Sequence, residues 1–240
     1  MLFNDFAVSE SEEEAACDVT MPWRKPCTVS YCRADMAARV PVPKFVNPIT
    51  KKVFFADGGR RNMPRPEGFV SPRGERDVPG RGEQCSIDGE FVSVSSEEAE
   101  LRRDGTRRVT KQRQLALGRV SMVRELRGKL VPFIDDYINV WEPIDDYLTR
   151  YSGLTEEQLS PQTSTHHIVS LKATFCKLRY LVDAGCVFVG HGLTKDFRIM
   201  GLVVPKAQVR DTVHVCHREN RRFISLKFLS SFLLGEDIQD

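Results

Sequence analysis

The sequence predicts an α/β fold: a mixed sheet of three antiparallel strands followed by an αβαβα succession, flanked by helices. Three observations lead there. Between residues 85 and 140, three β-prone runs are separated by short turn signals, as in an antiparallel meander. From Leu171 onward, apolar residues at helical spacing alternate with short apolar runs. At 240 residues, 41% hydrophobic and 28% charged, the chain suffices for one sizeable globular domain and an appendage.

Residues 1–56 carry a strand-and-turn pattern in Leu2-Phe3-Asn4-Asp5-Phe6, an acidic run from Glu10 to Glu14, and a weak alternation over residues 27–32. Two short strands do not build a core of their own, so this part reads as the remnant or extension of another domain. Residues 57–83 are rich in Gly, Pro and Arg with few aliphatic side chains, which predicts a basic, solvated linker. The main domain then spans 84–240. Its first strand covers residues 85–94, and 96–103 read as a charged helical turn or loop before the Asp104-Gly105 turn. The second strand covers 115–123 with Gly118 as a bulge, and the third, after the Arg127-Gly128 turn, covers 131–140. Leu171, Phe175, Leu178 and Val182 mark a helix that Gly185 closes. Residues 187–189 form a buried strand broken by Gly190-His191-Gly192, and Thr194 is the expected cap of a helix carrying Asp196 and Phe197. A short strand at 209–212 and an apolar helix at 225–234 follow.

The formal net charge of +2 gives no electrostatic case for nucleic-acid binding by itself. Seven cysteines, an odd number without Cys-x-x-Cys spacing, predict reduced, packed thiols. A basic-then-apolar leader and a membrane-length apolar run are both lacking, so the expectation is a soluble intracellular protein without membrane contact.

The chemistry concentrates on the first strand. Asp88 and Glu90 are two apart, so a strand projects both from one face. Two carboxylates so close repel, and one is driven towards protonation unless a cation neutralises them. Oxygen donors of this kind suit Mg²⁺ or Mn²⁺. Asp196 sits in the first turn of a helix just past the carboxyl end of a buried strand, where open α/β sheets place ligands. If the two strands are neighbours, it converges on the same pocket.

Asp-x-Glu followed much later by Gly190-His191-Gly192-Leu193-Thr194-Lys195-Asp196-Phe197 resembles the DEDD exonucleases of the ribonuclease H-like fold. The likeness narrows to the poly(A)-nuclease deadenylases through Ile87-Asp88-Gly89-Glu90-Phe91-Val92, Val131-Pro132-Phe133-Ile134-Asp135-Asp136-Tyr137-Ile138, Tyr147-Leu148-Thr149-Arg150-Tyr151-Ser152-Gly153-Leu154-Thr155 and Leu234-Gly235-Glu236-Asp237-Ile238-Gln239. That resemblance implies a ribonuclease H-like mixed sheet and a 3′→5′ exoribonuclease that shortens poly(A) RNA tails, releasing AMP with two divalent cations, Mg²⁺ or Mn²⁺. Asp88, Glu90 and Asp196 carry over as catalytic metal ligands, and Phe91 and Leu154 are the residues chosen to touch the terminal nucleotide. The implied partners are a pseudokinase-containing regulatory subunit and, through it, poly(A)-binding protein, in the cytoplasm and its P-bodies. Leu2 to Phe6 and Met21 to Cys27 resemble the end of a ubiquitin-hydrolase-like domain.

The chain departs from that pattern in two places. Gly89 stands where the family has Ala, which softens the strand by roughly 0.5–1 kcal/mol. The family continues beyond Gln239 into a helix bearing a catalytic His and a fourth Asp, so residues 1–240 tested alone are expected to be nearly inactive. His166, His167, His191, His214 and His217 read as structural or surface histidines, and Asp211 as a strand-end hydrogen-bonding residue. Two other classes fit: a non-catalytic scaffold in an mRNA-decay assembly, and a DEDD exonuclease acting on other RNA or on DNA.

Overall fold

The computed structural model describes residues 2–4, 7–9, 49–56, 64–102, 105–217 and 223–238. The chain divides into two compact units, Met1–Val46 and Asn47–Asp240. In the first, β1 (Leu2–Asn4) pairs antiparallel with β2 (Ala7–Ser9), Phe3 opposite Val8. The strand expected at 27–32 lies outside the described residues.

The second unit is built on a six-stranded mixed sheet. Three long strands, β3 (Gln84–Ser95), β6 (Gln114–Leu126) and β7 (Lys129–Asn139), form the antiparallel meander the sequence predicts. Arg127 and Gly128 join β6 to β7 with φ of 54° and 76°, the two positive values a tight hairpin turn requires. The excursion between β3 and β6 is itself a hairpin, β4 (Glu98–Leu101) against β5 (Arg107–Lys111). The sequence suggests a helical turn or loop there. The described side chains on both strands are exposed, leaving no apolar alternation to read, and the ion pairs Arg107–Glu97 (2.5 Å) and Lys111–Glu98 (3.2 Å) cross the hairpin.

Short helices α1 (Thr149–Ser152) and α2 (Glu156–Leu159) lead to β8 (Ile168–Ser170), a parallel edge strand on β7. Ser170 then caps α3 (Leu171–Ala184) by accepting from the Ala173 N–H, and Gly185 closes it at φ 83°. Next come β9 (Val187–Gly190), α4 (Leu193–Ile199), β10 (Val209–Asp211), α5 (Thr212–Val215) and α6 (Leu226–Leu234). The strand order is β10-β9-β3-β6-β7-β8, with β9 parallel to β3 and β10 parallel to β9. This is the mixed α/β sheet that the resemblance to the ribonuclease H-like fold implies. One cap differs from expectation: Gly192 at φ 80° stands at the N-cap of α4, and Thr194 lies inside the helix.

The main core packs Ile87, Met122, Ile134, Leu178, Leu181 and Phe188 between sheet and α3. Two boundaries shift because of it. Phe54 belongs to this core and meets Tyr180 edge-on at 5.9 Å, so residues 49–56 join the second unit rather than the first. The described part of the expected linker, 64–83, is also fastened to the domain. Val70 N–H donates to Pro132 O, Gly82 N–H to Gly185 O, and Arg65 Nη1 to Asp135 O, while Val78 is buried. Backbone groups and arginine forks order this stretch where aliphatic burial is scarce.

Beneath the sheet, Asp136 accepts from Lys177 Nζ at 3.0 Å and Thr174 Oγ1 at 2.8 Å, with Asp136 and Thr174 at most 1% exposed and Lys177 4%. Arg65 Nη1 stands 4.0 Å from Asp136 Oδ1, but loss of Lys177 removes the close cation from a buried carboxylate. Lys177→Met is expected to cost about 3–5 kcal/mol of unfolding free energy, read from urea denaturation; an unchanged midpoint contradicts the reading.

Candidate active site

Asp88 and Glu90 lie opposite Ser121 and Arg119 in the β3–β6 ladder, and between Glu90 and Phe91 the partner jumps from Arg119 to Leu117. Gly118 is therefore the bulged residue, as its position in the strand predicts. A Cβ there would meet Leu154 Cδ1 at 2.5 Å, so a larger residue would have to displace the Leu154 side chain.

On its other side β3 is paired for a short distance only. Gln84, Cys85 and Ser86 match Val187, Phe188 and Val189 of β9, and the paired stretch ends there. Beyond it the chain turns through Gly190-His191-Gly192 into α4, which carries Asp196 in its first turn. The turn runs close against β3: a Cβ on Gly190 would overlap Leu193 and lie 3.0 Å from Ile87 O. Asp196 is thereby delivered beside the carboxylates of β3.

The electrostatics show the convergence. Burial pushes the Glu90 carboxyl up to about 7, reinforced by the charges of Asp88 and Asp196 and opposed by Arg119. Burial pushes Asp196 up to about 6, reinforced by Asp88 and Asp211 and opposed by Lys195. Asp88 is the exposed member and acts on both. The donor set is oxygen only, the chemistry of a hard divalent cation. Among the described residues no three His, Cys, Asp or Glu side chains form a ready-made metal cage.

Phe91 and Leu154 sit differently from each other. Phe91 is half-buried on the Gly89 side of β3, where its ring edge and Met200 Cε crowd the place of a Cβ on Gly89. Met200 so occupies the space of the methyl that Gly89 lacks. Leu154 is 2% exposed and packs with Val92, Tyr137 and Leu159.

Two neighbours complete the surroundings of the carboxylates, and of these Arg119 escapes a reading by motif. Arg119, cross-strand from Glu90, donates from Nε to Asp135 Oδ1 at 2.8 Å and lies over the Tyr137 ring. Only strand register reveals it. Asp211, 6% exposed at the end of β10, accepts from the backbone N–H groups of Gly192 (2.8 Å), Leu193 (2.9 Å) and Val213 (3.0 Å). It is the strand-end hydrogen-bonding residue expected, with two of its three bonds made to the turn before α4. The histidines hold structural places: His191 Nδ1 is 2.9 Å from Thr212 Oγ1, His166 stacks on Tyr137 at 4.1 Å, and His214 and His217 lie against Phe223.

A family model described as Exonuclease (RNase_T) matches residues 86–239. The human PAN2-PAN3 deadenylation complex catalytic subunit PAN2 is 39% identical over 240 residues, covering 99% of this chain and 20% of the relative. The Schizosaccharomyces pombe counterpart is 41% identical, with 99% and 22% covered. The chain thus spans about a fifth of the length of these curated relatives. Among solved structures, the Saccharomyces cerevisiae Pan2 pseudoubiquitin hydrolase-RNA exonuclease module in complex with AACCAA RNA is similar at 35% identity and a TM-score of 0.76, covering 99% of this chain and 37% of that one. The matched segment spans more than half of the chain and contains Asp88, Glu90 and Asp196, and the chain belongs to the exonuclease family.

Proposed function

We propose that this chain carries the catalytic part of a 3′→5′ exoribonuclease that shortens mRNA poly(A) tails and releases AMP. The observation that carries the proposal is the convergence of Asp88, Glu90 and Asp196 where β9 leaves β3, in an exonuclease-family domain. The names of its relatives, catalytic subunits of the PAN2-PAN3 deadenylation complex, support poly(A) as the substrate and the complex's second subunit as the partner; that this subunit is of pseudokinase type is part of the proposal. Poly(A)-binding protein reached through that subunit, a cytoplasmic site of action including P-bodies, and an N-terminal segment derived from a ubiquitin-hydrolase-like domain complete the proposal.

Asp88, Glu90 and Asp196 would hold two divalent cations, Mg²⁺ or Mn²⁺. When bound, these supply Lewis-acid polarisation of the scissile phosphate and a water activated near neutral pH. The chain's own contribution is position and charge. Arg119 moderates the charge on Glu90 from across the ladder while its fork stays tied to Asp135. Phe91 and Leu154, which pack at and beside the β3–β6 bulge, are the residues proposed to bound the seat of the terminal nucleotide. We also propose that the 240-residue polypeptide tested alone turns over slowly.

Release of AMP from oligo(A), mixed-sequence RNA and DNA, compared for this polypeptide and for the protein at its full natural length, tests these statements. The full-length protein is expected to prefer oligo(A) and to lose several orders of magnitude in rate with Asp88→Asn, because such residues act as a unit. Equal turnover of all three substrates contradicts a deadenylase, and brisk Mg²⁺-dependent release by residues 1–240 contradicts the slow turnover.

The raised carboxyls also link stability to pH. Glu90 and Asp196 keep their protons to higher pH folded than unfolded, so the folded chain binds more protons in that window. Their contribution to stability is present below the unfolded carboxylate range and is lost as pH rises through about 6 for Asp196 and about 7 for Glu90. In chelator, the Tm is expected to fall between about pH 5 and pH 8, with Glu90→Gln flattening the fall and Mg²⁺ restoring Tm only at the upper end. Superimposable parent and Glu90→Gln profiles contradict this linkage.

A further inference from the structure

We propose that Asp211 and Thr212 are positioning residues for Asp196, a clamp reaching from the end of β10 to the turn between β9 and α4. Every residue of that turn is held by this dipeptide. Thr212 Oγ1 donates to Gly190 O at 3.0 Å and lies 2.9 Å from His191 Nδ1. Since the hydroxyl's one hydrogen goes to Gly190, His191 donates to Thr212 from a protonated Nδ1. Asp211 Oδ1 accepts from Gly192 N–H, and Oδ2 from Leu193 N–H.

Within its own sequence the turn has weak support. Gly192, in the left-handed region, offers no side-chain cap to α4, and the Lys195 N–H to Gly192 O bond is 3.3 Å long. Two N–H groups at the start of α4, those of Gly192 and Leu193, are satisfied from another strand. Asp211 also caps α5 through Val213 N–H, and that bond alone is what an ordinary strand-end Asp would make. Its other two bonds cross to the segment that delivers Asp196. A buried carboxylate accepting three N–H groups is a stiff anchor, because each bond is charge-assisted and a displaced group would be left unpaired.

This inference rests on the reading of Asp196 as a metal ligand, and the test separates the two. Mn²⁺ affinity of the 240-residue chain, by electron paramagnetic resonance, and amide hydrogen exchange of residues 190–196 are compared for the parent, Asp196→Asn, Asp211→Asn, Thr212→Val and Thr212→Ser. Asp211→Asn replaces one acceptor oxygen by an NH₂ facing a donor. It is expected to weaken Mn²⁺ binding about 10–100-fold, as loss of a group that orients a ligand does, and to speed exchange at Gly192 and Leu193. Thr212→Val weakens binding in the same direction, Thr212→Ser restores it, and Asp211→Asn adds no further loss in an Asp196→Asn background. Unchanged Mn²⁺ affinity in Asp196→Asn overturns the metal reading. Loss of affinity in Asp196→Asn with parent-like affinity in both Asp211→Asn and Thr212→Val overturns the clamp alone. Should Asp211→Asn not fold, the contrast between Thr212→Val and Thr212→Ser decides.

Discussion

The unequal pairing of β3 governs the rest of this structure. On one edge it is matched to β6 along nearly its whole length, while on the other it is matched to β9 only over Gln84, Cys85 and Ser86. A strand paired on both sides is rigid and has its backbone groups satisfied. Where β9 peels away, β3 continues with one partner and one unpaired edge. Asp88 and Glu90 occupy that part of β3, and Asp196 arrives on the segment that peels away. The place of the site is therefore a consequence of ladder lengths.

Charge crowding is the cost of this arrangement. Three carboxylates share a region where burial already disfavours the ionised forms of Glu90 and Asp196, and the fold supplies limited relief through Arg119 and Lys195. Arg119 is itself committed to Asp135, so it moderates Glu90 without forming a closed pair. Elsewhere buried charge is fully answered, as in the Asp136–Lys177–Thr174 group beneath the sheet. Repulsion left standing in one place and cancelled in another is the electrostatic contrast behind the proposed cation site.

Much of the scaffold was legible because period and punctuation agree. The long strands are β-prone runs bounded by turn residues, Arg127-Gly128 supplies two positive-φ residues, and Gly185 closes α3. Reading failed where order comes from something other than apolar burial. The β4–β5 hairpin is exposed and crossed by ion pairs, so no hydrophobic period announces it. Residues 64–83 are fixed by backbone bonds and by Arg65 at the sheet, which composition alone renders as a tether. Edge strand β8 has three residues, too few to carry a pattern.

By itself the sequence determined the types and spacing of the chemical groups. Asp88 and Glu90 share a strand face because side chains alternate, Asp196 opens a helix after a buried strand, and the ordered motifs point to a nuclease of the ribonuclease H-like kind. Tertiary structure alone decided which groups meet. That β9 lies beside β3, that Arg119 stands across from Glu90, and that Asp211 and Thr212 grip the turn before Asp196 are facts of strand order and register. Local sequence rules act over a few residues, whereas these contacts join segments far apart in the chain. Their geometry is set by the packing of the whole sheet.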